Sequence, residues 1–211
     1  MKIVIIGQGG HSKVVQDNLL SNKGYEIIGY LDDRYEDITI VDNIYFGPIL
    51  TAHEMIKSFS QIKFVIAIGD NKIRKNIDRK LCLPDDFYAT LIHNTAVVSP
   101  GVQIGNGTVI MPNVVINADT RIGNHAIINT SSVVEHDNIL GDFVHISPHV
   151  TLTGSVVIEE GAHVGAAATL IPSVNIRKWS IIGAGAVVIH DIPPNCTAAG
   201  IPAKVINEVR Q

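Results

Sequence analysis

From Ile92 onward an aliphatic residue returns at every sixth position: Ile92, Val98, Ile104, Ile110, Ile116, Ile122, Ile128, Val134, Leu140, Ile146, Leu152, Ile158, Val164, Leu170, Ile176, Ile182 and Val188. That is seventeen in succession with no insertion or deletion, a run that chance does not sustain. The residue four places after each is small or β-branched in most hexads, as at Ala96, Val102, Thr108, Val114 and Thr120. It stands two before the next aliphatic residue, so strand alternation puts both side chains on one face and the residue between them on the other. Glycine follows the aliphatic residue at Gly105, Gly123, Gly141, Gly165 and Gly183, where a corner is approached. A short strand and a corner repeated in this way build a triangular coil, with three hexads closing a turn of about 18 residues. The series predicts nearly six such coils, stacked as a parallel β-helix with the aliphatic positions inside. Both ends of such a prism need covers. The N-terminal domain is expected at one end and the tail 189–211 at the other.

The first ninety residues follow a different pattern. Lys2–Ile6 is a short apolar strand, Gly7-Gln8-Gly9-Gly10-His11-Ser12 is a glycine loop, and Lys13–Leu20 reads as a helix. Strand, glycine loop and helix in that order bring backbone N–H groups to a helix N-terminus, a ready anion site. Ser12 stands where the dinucleotide fingerprint would have its third glycine. A second apolar strand, Glu26–Leu31, ends in Asp32-Asp33, and a third, Phe64–Ile68, ends in Gly69-Asp70-Asn71. Three such tips on one edge of a parallel sheet form a nucleotide crevice. The length allows a half-size Rossmann-like unit, suited to a nucleoside diphosphate more than to a full dinucleotide. The basic cluster Lys72, Arg74, Lys75, Arg79 and Lys80 reads mostly as a solvated helix face. Pro84-Asp85-Asp86 breaks that helix, which sets the domains at 1–86 and 87–211.

Composition narrows the classes. Net charge is −4, from 16 basic and 20 acidic residues, so no basic excess points to nucleic acid. Aromatic residues make up 5% of the chain, which suits tightly wound β-structure. Cys82 and Cys196 belong to no metal-ligand spacing and read as reduced packing residues of a cytoplasmic protein. No apolar run approaches the roughly 20 residues of a membrane span, and the N-terminus reads as a first strand, not a targeting segment.

Of the nine histidines, His136 stands out. It is the second residue after Val134, in a corner, where a side chain projects outward. Glu135 and Asp137 flank it, and either carboxylate could orient the ring and raise its basicity. A neutral imidazole is a suitable general base for a hydroxyl or amine nucleophile. His145 and His163 are one coil apart and should stack on the outer face, where one could meet a ligand. His125, His149 and His190 read as incidental. There is no metal-binding or serine-nucleophile motif.

Together, Gly7-Gln8-Gly9-Gly10-His11, Leu31-Asp32-Asp33, Ala67-Ile68-Gly69-Asp70-Asn71 with Arg74, Leu91-Ile92-His93, Asn129-Thr130-Ser131-Ser132, Glu135-His136-Asp137 and Gly200-Ile201-Pro202-Ala203-Lys204 resemble a bacterial family across essentially the whole chain. It is the PglD-like group of sialic-acid O-acetyltransferases and nucleotide-sugar N-acetyltransferases, within the hexapeptide-repeat acyltransferases. The resemblance implies an α/β Rossmann-like half-domain followed by an all-β left-handed parallel β-helix. It also implies a homotrimer with active sites between neighbouring prisms, acetyl-CoA as co-substrate and no metal. By resemblance His136 is the catalytic base, Asp137 the acid that raises its basicity, and Gly154 a backbone N–H that stabilises the oxyanion. His145, Ala166 and Ala184 match acetyl-CoA positions. Gly9, Gly10, His11, Asp32, Asp33, Gly69 and Asn129 match the nucleotide-sugar site.

The expected activity is acetyl transfer from acetyl-CoA to the 4-amino group of a UDP-linked amino-deoxy sugar, in glycan or exopolysaccharide synthesis. Direct transfer with a histidine base is expected, and the unbroken hexad series fits it, since without an extruded loop the catalytic groups must come from the coils themselves or from a neighbouring subunit. GDP-linked amino-sugars, O-acetylation of sialic acid or another sugar, and a non-catalytic nucleotide-sugar-binding scaffold are the alternatives.

Overall fold

The structure is a computed structural model and describes residues 1–208; the last three residues of the expected tail lie outside the described residues. The chain forms two compact units, Met1–Leu91 and the remainder from Ile92. Among the described residues no helix is long and apolar enough to cross a membrane.

The first unit is an α/β layer. Its elements are β1 (Lys2–Ile6), α1 (Gly10–Leu20), β2 (Glu26–Leu31), β3 (Thr39–Val41), β4 (Ile44–Gly47), α2 (Ala52–Ser58), β5 (Ile62–Ile66) and α3 (Asn71–Leu81). The sheet order is β3-β4-β2-β1-β5, parallel except for β3, which runs antiparallel to β4. β1 is an interior strand between β2 and β5, and its run Ile3–Ile6 is wholly buried, the continuous apolar signature of a parallel strand covered on both faces. Ile6 lies beside Leu31 of β2 and Ile66 of β5, so the three strands end level. α1 carries the chain from β1 to β2 on one side, while β5 lies on the other. The crevice outside their carboxyl ends is the switch point at which open α/β sheets take ligands. Tyr88 forms a parallel bridge to Phe64, and the Ala89 N–H donates to the Phe64 carbonyl at 2.8 Å. The segment after Pro84 thus closes on the edge of this sheet. The hairpin β3–β4 and the short helix α2 left no signal in the sequence. They are too brief for periodicity to register, and every residue of β3 is exposed.

The second unit is a left-handed parallel β-helix. Two-residue strands stack in three faces, with each residue beside the one 18 further along, as Ile128 beside Ile146 and Val134 beside Leu152. His145–Ile146 belongs to the first face, Val133–Val134 to the second, and Ile139–Leu140 to the third. The aliphatic positions from Ile110 to Val188 are buried, whereas Ile92, at the start, is 39% exposed. Inward hydroxyls serve the corners: Ser132 Oγ donates to the Asn129 carbonyl at 2.7 Å and Thr120 Oγ1 to the Glu135 carbonyl at 3.0 Å. The third residue of each corner is left-handed, through Asn113, Asp119, His125, Ser131, Asp137 and on to Trp179 and Gly185.

The glycines that follow the aliphatic residues have a separate cause. A Cβ on Gly123 would lie 2.6 Å from the Asp142 nitrogen, and one on Gly165 would lie 2.6 Å from the Ile182 oxygen. Backbones of adjacent coils pass too close there for any side chain. The hexads end in a hairpin. Cys196–Gly200 joins the first face in parallel beside Ile181–Ile182, and Ala203–Glu208 folds back on it antiparallel.

Candidate active site

Three groups of side chains emerge. The first sits at the corner between the second and third faces. His136 Nδ1 lies 2.7 Å from Asp137 Oδ2, and the two side chains are 60% and 55% exposed. The left-handed backbone at Asp137 (φ 61°) turns its carboxylate to the ring beside it, a conformation Asp tolerates better than most residues. Glu135 is otherwise engaged, since Asn117 Nδ2 donates to its Oε2 at 2.9 Å. Of the two flanking acids, Asp137 therefore holds the imidazole. Its hydrogen bond, opposed by slight desolvation and aided by the charges of Asp137 and Glu135, holds the His136 pKa above the ordinary histidine value. With Nδ1–H bonded to the carboxylate, Nε2 presents its lone pair outward. One coil on, a Cβ at Gly154 would fall 2.7 Å from His136 Cε1. The ring lies against the bare Gly154 backbone.

The second group lies on the first face and the corner that follows it. The rings of His145 and His163 stack with centroids 4.6 Å apart, as their one-coil spacing led us to expect. His145 Nε2 is 3.3 Å from Asn129 Nδ2, and His163 Nε2 is 2.9 Å from Ser147 Oγ. Higher on that corner Ala166 and Ala184 stack on successive coils, where the Gly185 N–H donates to the Ala166 carbonyl at 2.8 Å. Within one chain this group and His136 occupy different corners of the triangle. His125 is not incidental to the fold: it is buried and stacks on Phe143 with centroids 5.1 Å apart.

The third group is in the first unit. Gly9 caps α1 in extended conformation, and Ser12 Oγ donates back to its carbonyl at 2.7 Å. A hydroxyl here ties the loop where the fingerprint would place glycine. Nothing lies within 4 Å of where a Cβ would stand on Gly9, Gly10 or Gly69, so all three strand-end glycines face open space. Asp32 accepts from the Gln8 N–H at 2.8 Å and the Arg34 N–H at 3.0 Å. Burial pushes its pKa up, but these bonds and the Arg34 side chain outweigh it and hold the group below the ordinary carboxylate value. Asp33 pairs with Lys80 at 2.8 Å and accepts from the Ile49 N–H at 3.1 Å. Lys80 is the main reason its pKa also falls. Both acids thus brace the loops that frame the crevice.

Arg74 corrects the reading of its helix as a solvated basic face. Arg74, Ile77 and Leu81 form one buried stripe of α3, and the guanidinium donates to the Ile68 carbonyl at 2.8 Å and to Asn71 Oδ1 at 2.9 Å. Burial lowers its pKa to about 9, so it stays charged at neutral pH. Burial and this nearby charge push His11 down to about 4, leaving a neutral imidazole beside the glycine loop. Helical periodicity could have found Arg74, because it shares its spacing with Ile77 and Leu81. A groove of about 550 Å³ near Met1, Phe59, Ile62 and Phe87 lies at the opposite, amino-terminal end of β1 and β5. Among the described residues no cluster of His, Cys, Asp and Glu could hold a metal ion.

Residues 2–81 match the PglD N-terminal domain family. Over 109 residues the chain is 43% identical to the UDP-N-acetylbacillosamine N-acetyltransferase of Bacillus subtilis (strain 168), a match covering 52% of this chain and 50% of that enzyme. It therefore spans about half the length of that curated relative. Two solved structures match almost end to end. A histidine-to-asparagine mutant of perosamine N-acetyltransferase from Caulobacter crescentus, in complex with CoA and GDP-perosamine, is 37% identical, with a TM-score of 0.88 over 99% of this chain and 98% of that one. This chain belongs to the PglD-like family of sugar acetyltransferases. The acetyltransferase domain of PglB from Neisseria gonorrhoeae FA1090, in complex with acetyl coenzyme A, is 35% identical, with a TM-score of 0.84 over 97% of this chain and 98% of that one. The three groups of side chains thus lie in a fold whose relatives carry the names of N-acetyltransferases.

Proposed function

We propose that the protein transfers an acetyl group from acetyl-CoA to the 4-amino group of a nucleotide-linked amino-deoxy sugar, UDP-linked in the first instance, for glycan or exopolysaccharide synthesis. The observation that carries this reading is the exposed His136–Asp137 pair lying against the bare backbone of Gly154. The sugar amine attacks the thioester carbonyl, and His136 Nε2 takes the proton from the attacking nitrogen. The Gly154 N–H stabilises the oxyanion, and the tetrahedral intermediate collapses with release of the CoA thiolate. No covalent acetyl-enzyme is required. Asp137 keeps the ring in the tautomer that leaves Nε2 unprotonated.

His145 and the corner of Ala166 and Ala184 would receive acetyl-CoA, and Asn129, beside His145, would meet the sugar substrate. Gly9, Gly10, His11 and Gly69 would hold the nucleotide sugar, with Asp32 and Asp33 shaping the crevice. His136 and the proposed acetyl-CoA groups occupy different corners of one prism. A homotrimer, in which one prism faces its neighbour, would bring them into one site, and a cytoplasmic setting would suit the co-substrate.

The test is thiol release from acetyl-CoA with UDP- and GDP-linked 4-amino sugars. Release with one of them, reduced about 10²-fold or more in His136→Ala, is the expected result. Release with a hydroxyl acceptor alone would mean O-acetylation, and silence across the panel would refute the acetyltransferase reading. Asp137→Asn should move the acid limb of kcat/KM to lower pH. Its carboxylate stabilises the imidazolium, so removing it lowers the pH at which the base becomes neutral. An unmoved limb would remove Asp137 from the mechanism.

A further inference from the structure

The fourth position after each aliphatic residue points into the prism. Across all seventeen hexads it holds one amide, Asn138, in the hexad that carries His136. Its side chain is fully buried. Nδ2 reaches three carbonyls: Glu135 at 2.6 Å, His136 at 3.3 Å and, on the next coil, Thr153 at 3.0 Å. Three acceptors on one side fix which end of the amide faces them, since Oδ1 there would meet only other oxygens. Oδ1 consequently lies buried with no hydrogen-bond partner among the described residues. Buried unsatisfied acceptors are rare enough to need a reason, and small or β-branched residues serve this position in the neighbouring hexads.

The Thr153 carbonyl supplies that reason. It belongs to the same peptide unit as the Gly154 N–H, and in a trans peptide the two point in opposite directions. Drawing the carbonyl inward to Asn138 turns the N–H outward, on the side where the His136 ring lies. Among the described residues the Gly154 N–H donates to no protein acceptor. The Ser155 N–H donates to the His136 carbonyl at 2.9 Å, so the base and the following peptide are tied together on both sides of Gly154.

We propose that Asn138 is a positioning residue that orients the Gly154 N–H toward the reacting carbonyl from inside the prism. This rests on the reading of His136 and Gly154 given above. Two variants remove its bonds. Asn138→Ala leaves the Glu135 and Thr153 carbonyls without the amide, whereas a hydroxyl at this position could still reach Thr153, as Thr120 reaches Glu135. Asn138→Val introduces the residue that fills this position in the next three hexads and removes the unsatisfied oxygen.

With acetyl-CoA and the 4-amino sugar that the unsubstituted protein acetylates, both variants should lose about 10-fold or more in kcat, part of what removing an oxyanion donor costs. Both KM values should stay within about twofold, the pH midpoint should not move, and the valine variant should unfold at the parental temperature or above. Parental kcat in either variant would overturn the proposal, as would a loss confined to KM or one that tracks thermal stability. His136→Ala in the same series keeps the two ideas apart. Full turnover there refutes the base, whereas an inactive His136→Ala beside fully active Asn138 variants refutes the positioning role alone.

Discussion

Glycine means different things in the two units. Gly9, Gly10 and Gly69 have nothing within 4 Å of a built Cβ, whereas Gly105, Gly123 and Gly141 would each place one within 2.7 Å of the next coil's backbone. In the first unit, glycine keeps space open at strand ends. In the β-helix, it lets two chains pass. Gly154 is a third case, where the crowding atoms belong to the exposed ring of His136. The titratable groups divide similarly. Arg74 is buried and His11 partly buried in the first unit, while His136 stands in solvent. One unit keeps its charged group inside and open space at its strand ends, while the other exposes an imidazole on a rigid corner.

Gly154→Ala gives the largest effect expected from this contrast. The added methyl must displace the His136 ring, and misplacement by about 1 Å can cost on the order of 10²-fold in turnover. Thermal stability should hardly change, because the displaced ring is exposed. Parental turnover would show that the ring's seat against Gly154 is not part of the site.

Acid stability separates the units next. The folded-state pKa of His11 is about 4 against an ordinary 6.5, so between those values the unfolded chain binds the extra proton. The stability contributed by the neutral, partly buried ring is present above pH 6.5 and is lost as pH falls toward 4. The loss is roughly 3 kcal/mol at about 1.4 kcal/mol for each unit of pKa difference. Helices occur in the first unit, so ellipticity at the helical minimum follows its unfolding. His11→Asn should flatten the pH dependence, and an unchanged slope would mean that another group controls it.

The smallest effects form a matched pair. Gly123→Ala forces a methyl against the Asp142 backbone and should destabilise the β-helix by about 1–3 kcal/mol. Gly10→Leu adds a larger side chain in open space, within the first turn of α1, where helical backbone suits it. It should leave the unfolding temperature alone and raise KM for the nucleotide sugar severalfold. Should Gly10→Leu unfold the protein and Gly123→Ala do nothing, the division of glycines drawn here is wrong.

The β-helix was legible because its period is enforced by covalent spacing. Each aliphatic residue sits six after the last, and the registers of Ile128 with Ile146 and Val134 with Leu152 follow from that count. The outward position of His136 and the stacking of His145 on His163 came from the same arithmetic. The left-handed third residue of each corner was not legible, since Asn, Asp, His, Ser, Phe, Ala and Trp all occupy it and no single residue type marks it. Arg74 was misread because charge suggested solvent, while its spacing with Ile77 and Leu81 indicated burial.

The sequence by itself determined the prism, the glycine-tipped strand ends and the corner on which His136 stands, because hydrophobic period and strand alternation are local rules that tolerate few solutions. The tertiary structure alone decided which acid holds His136, what Gly154 makes room for, and that Asn138 reaches across a coil to Thr153. The Asn117–Glu135 bond that takes one acid away, the ring against Gly154 and the Asn138–Thr153 bond each join residues about one turn of the prism apart. Their geometry depends on how side chains fill a shared interior, which no single hexad specifies.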